Sequence, residues 1–290
     1  MPLDFLPKCF TLFLMITVFY NDKQNVTNNQ SFSPSASKPK KVYDLFKKNP
    51  HVSINSDWKP LTKQQIYVSH DNKYVDGVLN GTIANGFGNK IKEVADSLPY
   101  TSGSFYNAAV YALKNRVAMS PTSGFHHARY YNGGAFCTFN GLTITAQLLK
   151  SNHKTKRVGI IDFDAHWGDG TDDIINKLSI KDIIHLSHNK IFGFFGTNET
   201  PLLNLYKTLD AVKNCEILLY QAGADSHVND PLGGDLTTEQ MFERDRIVFR
   251  FAKDNNIPIV WNLAGGYQND FSKVLEIHEN TLKACIEVYE

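Results

Sequence analysis

The stretch Ile160-Ile-Asp-Phe-Asp-Ala-His-Trp-Gly-Asp-Gly170 continues an apolar run, Arg157-Val-Gly-Ile-Ile161, whose length and β-branched content predict a buried strand. Asp162, Asp164, His166 and Asp169 then follow within eight positions. Polar groups this dense at the end of a buried strand are destabilising unless something pairs with them, and a divalent cation is the most effective partner for two carboxylates and an imidazole. Side chains at i, i+2 and i+4 of a strand share a face, so Asp162, Asp164 and His166 converge if the extended geometry persists to 166. The plain alternative is a polar loop with solvated acids and an incidental histidine.

Working outward, the strand at 157–162 is followed by a helical pattern near 172–178, a strand at 182–187, a helix near 201–213 and a strand at 216–222. A helix at 238–254, a strand at 257–263 and a helix at 270–288 complete the run. Strands alternating with helices mean right-handed crossovers and a mostly parallel sheet flanked by helices. No composition break marks a second domain, so the chain reads as a single α/β domain. Ahead of the alternation, Ser102 is a candidate cap for a helix over about 105–119, and 141–149 returns to a helical pattern. Residues 120–140, rich in glycine and aromatics, read as a functional loop. A short helix fits 42–48, and 31–40 reads as loop, with Lys38-Pro-Lys-Lys41 taken as solvated surface.

A net charge of +1 gives no global field for nucleic acid or an anionic membrane, so specificity must come from a local site. The 4 cysteines, Cys9, Cys137, Cys215 and Cys285, show no CxxC or CxxH spacing, which removes the sulfur-rich zinc modules and fits reduced thiols. Phe10 to Tyr20 is apolar and follows Lys8, like the core of a signal peptide, but no small-residue cleavage site follows and Asp4 interrupts the positive flank. It is too short to cross a membrane as a helix. Residues 15–20 are therefore expected to form the first strand, 1–14 an extension outside the core, and 15–290 the domain. A cytoplasmic location follows from that reading.

Ligands of open parallel sheets sit beyond the carboxyl ends of the strands. Three strands end here in chemistry: Asp162, Asp164 and His166 after the first, Asp225 after 216–222, and Gly265-Gly-Tyr267 after 257–263. Asp164, His166 and Asp225 are the expected ligands of one zinc ion, three protein donors with an open position being the catalytic pattern. Taken alone, Asp225 is equally a turn residue or helix cap. His126 and His127, adjacent in the glycine- and aromatic-rich loop, read as proton handlers that need carboxylates to fix their tautomers, and Asp162 and Asp169 are the acids available. Tyr267 is a candidate oxyanion donor, with packing on the sheet edge as the ordinary alternative.

In this order the segments GFHHA (124–128), GAFCTFNG (134–141), DFDAHWGDGT (162–171), AGADSHVNDPLG (222–233) and AGGY (264–267) resemble the zinc-dependent histone deacetylase family of the arginase/deacetylase superfamily. Weaker similarity runs through VFYN and SFSPSASKP (18–39) and HDNKYVDGVLNG (70–81), so the resemblance covers nearly all of the chain from about residue 15. It implies Asp164, His166 and Asp225 as metal ligands, and His126 and His127 as tandem histidines partnered by Asp162 and Asp169. Tyr267 becomes the transition-state tyrosine. Ala135, Phe136 and Leu232 become walls of an acyl-lysine channel, with one aromatic of 191–195 opposite. A structural potassium ion held in part by Asp162, Asp164 and His166 is also implied. Trp167 and Ala135 depart from the family pattern, a polar residue and a glycine being usual there.

The activity this implies is zinc-dependent removal of acetyl groups from protein lysine side chains, releasing acetate. The competing substrate is an acetylated polyamine or another small acyl-amine. A binuclear manganese ureohydrolase would need ligands for a second metal, and a non-catalytic acyl-lysine binder would not need the proton handlers. No nucleic-acid or membrane partner is expected.

Overall fold

The computed structural model describes residues 15–187, 202 and 204–290. Its strands are β1 (Ile16–Phe19), β2 (Val52–Asn55), β3 (Val117–Ser120), β4 (Val158–Asp162), β5 (Ile183–Ser187), β6 (Ile217–Gly223) and β7 (Ile259–Ala264). All pair in parallel in the order β2-β1-β3-β7-β6-β4-β5. The helices are α1 (Lys38–Phe46), α2 (Lys63–Ile66), α3 (Asn72–Leu79), α4 (Lys92–Asn115), α5 (Gly141–His153), α6 (Asp169–Lys177), α7 (Leu205–Thr208), α8 (Thr238–Asp254) and α9 (Phe271–Tyr289).

Both faces of the sheet are covered, as the near-continuous apolar strands require. Along β6, Leu218, Tyr220 and Ala222 enter a core with Phe46 of α1, Phe249 of α8 and Leu282 of α9. Ile217 and Leu219 point the other way, into a core with Val75 of α3, Phe105 of α4 and Leu142 of α5. The helix–sheet–helix architecture expected from the alternation is therefore present. Among the described residues, no helix is long and apolar enough to cross a membrane.

Several local expectations change. The helix anticipated over 105–119 starts at Lys92 and stops at Asn115, with Ser102 buried in its middle. Arg116 takes φ +76, and Val117-Ala-Met-Ser120 drops into the sheet between β1 and β7. Small apolar residues at helical spacing concealed that break, because Val117 and Met119 serve a strand as well as a helix. The loop at 31–40 is half ordered: a 3-10 turn covers Pro34–Ala36, and α1 starts at Lys38 with proline in its first turn. Lys38 is wholly buried, which overturns its reading as solvated surface. The helix near 201–213 is a single turn, α7, continued by a 3-10 turn at Leu209–Val212. Residues 1–14 and the wall aromatic of 191–195 lie outside the described residues.

What positions the site is the pairing of β4 with β6. Asp162 stands in register with Gln221, so the chain segments leaving both strands start side by side. Arg244, buried on α8, fastens them: its Nη1 donates to the carbonyls of Phe163 and Gly223, each at 3.0 Å. Its charge is met by Asp245 at 2.9 Å, a carboxylate that Tyr220 and Thr281 also donate to. The strand ends approach so closely that a Cβ on Gly223 would lie 2.4 Å from the Cα of Asp164. That neighbour is backbone and cannot rotate away. Gly223→Ala should therefore cost about 2–3 kcal/mol of stability by overpacking, read as a lowered urea midpoint at unchanged m-value.

Candidate metal and proton-transfer site

Beyond the carboxyl edge, the segments after β3, β4, β6 and β7 meet around one cleft, and these four strands are consecutive in the sheet. The cleft, open to solvent, offers about 490 Å³ of empty space and is lined by His126, His127, Phe136, Asp164, His166, Leu232 and Tyr267, together with Ser35, Gly124, Ala135, Cys137 and Gly265. Residues separated by more than two hundred positions in the chain thus share a single space.

Asp164, His166 and Asp225 offer ligand atoms that all lie within 4.8 Å of one another. Their convergence does not follow the simple strand rule. β4 ends at Asp162, whose side chain turns to His126, and the irregular step through Phe163 brings Asp164 and His166 to Asp225 instead. His166 Nδ1 stands 3.0 Å from both carboxylates, while its Nε2 donates to the Leu232 carbonyl at 3.0 Å. That outer bond fixes the tautomer and leaves Nδ1 facing the acids, the usual support for a metal-binding histidine.

The electrostatics identify what the trio lacks. Asp164 and Asp225 are almost wholly buried. Burial and the charge of Asp164 push the Asp225 carboxyl above the usual carboxylate range. Asp164 is held below it, against the effect of burial, by His126 and His166. Hydrogen bonds donated to Asp164 and Asp225 push the His166 imidazole up to about 11. A proton thus does the neutralising, and a divalent cation would displace it. The donor set, two oxygens and one nitrogen with the cleft on the open side, fits such an ion.

The tandem histidines have separate partners, as the sequence suggested. His126 Nδ1 lies 2.7 Å from Asp162 Oδ2, both groups buried, and His126 Nε2 lies 3.6 Å from Asp164. His127 Nδ1 lies 2.6 Å from Asp169 Oδ1, and Arg129 holds the other oxygen of that carboxylate. The rings are 4.0 Å apart between centroids. Burial opposes charge on His126, but Asp162 and Asp164 outweigh it and push it up to about 9. Burial and the neighbouring His126 push His127 the other way. Tyr267 is kept firmly protonated by burial and by the charges of Asp164 and Asp225, so its phenol is a donor.

Ala135 and Phe136 occupy the tip of a two-residue turn closed by reciprocal 2.9 Å bonds between Gly134 and Cys137. Their φ angles are +44 and +67, the left-handed backbone that favours glycine, which is the residue expected at 135. The Phe136 ring lies tilted against Tyr267 at 5.8 Å between centroids, and Leu232 borders the cleft from the β6 side. The site therefore gathers each residue assigned to it from sequence, within the described part of the chain.

Five contributors were not picked out. Gln221 donates to Asp162 at 2.9 Å, and its register with Asp162 across a parallel pair was the available signal. His185 of β5 approaches the same carboxylate at 3.7 Å and binds Asp172 at 2.7 Å. Asp230 accepts from the backbone of Tyr267 at 2.7 Å and of Leu232 at 3.0 Å, tying two cleft segments together. Phe32, 74% exposed, sits edge-on to Phe136 at 5.2 Å. Lys38 donates to the Gly265 carbonyl from the first turn of α1, and the Ser37-Lys-Pro39 helix-start pattern was its one sequence trace.

Comparison with known proteins identifies the family and the fold. The family model described as "Histone deacetylase domain" matches residues 34–201 and 204–284. Histone deacetylase 2 of Arabidopsis thaliana is 30% identical over 188 residues, covering 58% of this chain and 49% of that protein, so the chain spans about half the length of this relative. Two solved structures share the fold with a TM-score of 0.73. The HDA15 HD domain is 17% identical, over 95% of this chain and 88% of that one. An acetylpolyamine aminohydrolase from Burkholderia pseudomallei is 15% identical, over 94% and 99%. With the family model spanning the strand-end cleft and most of the sheet beneath it, the chain belongs to the histone deacetylase family.

Proposed function

We propose that the cleft is the active site of a zinc-dependent deacetylase that removes acetyl groups from lysine side chains of peptides or proteins. The observation that carries this is the convergence of a three-donor metal site, two carboxylate-backed imidazoles and a protonated phenol in one cleft. Asp164, His166 and Asp225 would hold the zinc, which when bound supplies Lewis acidity toward water and an amide carbonyl.

The protein groups divide the remaining work. His127, facing the cleft and held by Asp169, takes the proton of the attacking water at Nε2 and returns it to the departing amine. His126, pinned deeper by Asp162, tunes the local field. Tyr267 donates its phenol hydrogen to the developing oxyanion, a role typically worth about 3 kcal/mol. The products are acetate and a free amine.

An acyl-lysine fits the walls better than an acetylated polyamine. Among the described residues lining the cleft, the one carboxylate is Asp164, already committed to the metal. Phe136, Leu232 and Tyr267 suit an aliphatic stem, and a second ammonium would meet no free acid there. The acetylpolyamine aminohydrolase fold neighbour keeps the smaller amines as the competing substrates.

Zinc-loaded protein should turn over an acetyl-lysine peptide faster than acetylspermidine at a metal content near one per chain; the reverse preference would reassign the substrate, and two metals per chain would reassign the chemistry. Tyr267→Phe should lower kcat by about two to three decades with metal retained. Asp164→Ala should lose bound zinc and activity together, and a variant still active would remove Asp164 from the ligand set.

A further inference from the structure

We propose that His185 is a positioning residue for His126: backed by Asp172, it shares the carboxylate oxygen of Asp162 that His126 uses, and so fixes how that carboxylate is presented to His126. This rests on the reading of His126 given above.

Asp162 has its two oxygens held by different groups. Gln221 Nε2 at 2.9 Å and the Asp164 N–H at 3.3 Å donate to Oδ1. Oδ2 meets two imidazoles, His126 Nδ1 at 2.7 Å and His185 Nε2 at 3.7 Å. His185 reaches it from β5, where it stands in register with Ile160 of β4, so its side chain shares a face of the sheet with that of Asp162. Gly168 keeps the space for this approach. A Cβ there would lie 2.4 Å from Oδ2 of Asp162 and 3.0 Å from Nε2 of His185.

Outward from His185 the partners continue to the surface. His185 Nδ1 donates to Asp172 Oδ1 on α6 at 2.7 Å, and Trp167 Nε1 donates to the other oxygen of Asp172 at 2.9 Å. Acid and imidazole therefore alternate inward from Asp172 through His185, Asp162 and His126 to Asp164, at 2.7, 3.7, 2.7 and 3.6 Å. With Nδ1–H given to Asp172, Nε2 of His185 can face the next carboxylate as a second donor or as a bare lone pair, and only the donor is attracted. Burial opposes charge on His185, but Asp162 and Asp172 outweigh it. Nε2 is buried and makes no hydrogen bond among the described residues, which leaves its hydrogen directed at Asp162. Buried charge pairs seldom stabilise a fold more than apolar packing of the same volume. Their use here serves the placement of His126. Trp167, where the family pattern has a polar residue, is the outer cap of the string.

Wild type, His185→Leu and His185→Gln are compared by two readouts. One is the imidazole N–H resonance of His126 in protein carrying isotope-labelled histidine, with and without zinc. The other is turnover of an acetyl-lysine peptide. His185→Leu should displace the His126 resonance and lower kcat about tenfold at unchanged KM, the scale of losing a group that orients a working residue. His185→Gln, whose amide puts a donor near where Nε2 stood, should recover most of both. If the leucine variant does not fold, Asp172→Ala takes its place, and loss of the outer acid should move the His126 resonance across the intervening imidazole. A packing role predicts otherwise: leucine tolerated as well as glutamine, or both variants less stable with the His126 resonance and kcat unmoved. Either result, or an unmoved resonance in Asp172→Ala, would overturn the proposal. Because the resonance needs no activity, a wild-type protein silent on acetyl-lysine would defeat the deacetylase reading and leave the brace to be decided by the His126 signal.

Discussion

Two carboxylates nearly sealed from water, Asp164 and Asp225, face one another across the ends of adjacent parallel strands, and their surroundings are arranged to make that tolerable. Isolated buried charges of like sign are among the most costly features a fold can carry. The sheet nonetheless brings them closer than side chains alone would demand. Gly223 lets the β6 end touch the backbone of Asp164, Gly265 lets the β7 turn touch Asp225, and Arg244 fastens the two strand ends by their carbonyls. Together they build a negative electrostatic well whose donor set suits a cation.

The tandem histidines show how one residue type is given two roles by its surroundings. His126 and His127 are neighbours in the chain with touching rings, yet their proton affinities move in opposite directions. His126 faces buried Asp162, which also receives Gln221 and is approached by His185, so its position is overdetermined. His127 faces Asp169, a partly buried carboxylate shared with Arg129, and burial together with His126 outweighs that carboxylate. Neighbouring groups with separated proton affinities are the pattern expected where one must exchange protons and the other must not. A dication held by Asp164, His166 and Asp225 would lower both.

The sheet and the cleft were legible in the sequence for the same reason: strands buried on both faces read as apolar runs, and polar residues clustered where the runs stopped. Asp164, His166, Asp225 and Tyr267 all lie within five positions of a strand end, which is where ligands of a parallel sheet gather, although the period-two rule does not describe how they converge. The residues that escaped are those whose meaning depends on partners far away in sequence. Lys38 looks like any lysine in a basic tetrapeptide until its 227-residue reach to Gly265 is known. Asp230 sits inside a recognisable segment, but its double role exists only across two loops. The strand at Val117–Ser120 was lost because Ala108, Ala109 and Ala112 set up a helical period that the next apolar residues happened to continue. What broke the helix was Arg116 at positive φ, a conformation no side-chain pattern announces.

The Ala135–Phe136 turn shows the same trade between strain and placement at the mouth of the cleft. Two side-chain-bearing residues hold left-handed backbone, which costs on the order of 1–2 kcal/mol each. A glycine at either position would relieve it. At 136, however, glycine would also remove the ring that contacts Phe32, Phe87 and Tyr267. The strain at Phe136 therefore follows from needing an aromatic at the tip of a tight turn, where it projects farthest over the cleft. Ala135 has no such duty, and its methyl group reduces only the space beside the ring. The consequence is a mouth made of stiff, apolar surface, with Phe32 exposed above it and no carboxylate among its described lining residues apart from Asp164. Under the proposed function, the described part of this rim would favour an alkyl stem, which loses little on passing it, over an extra ammonium, which loses its water.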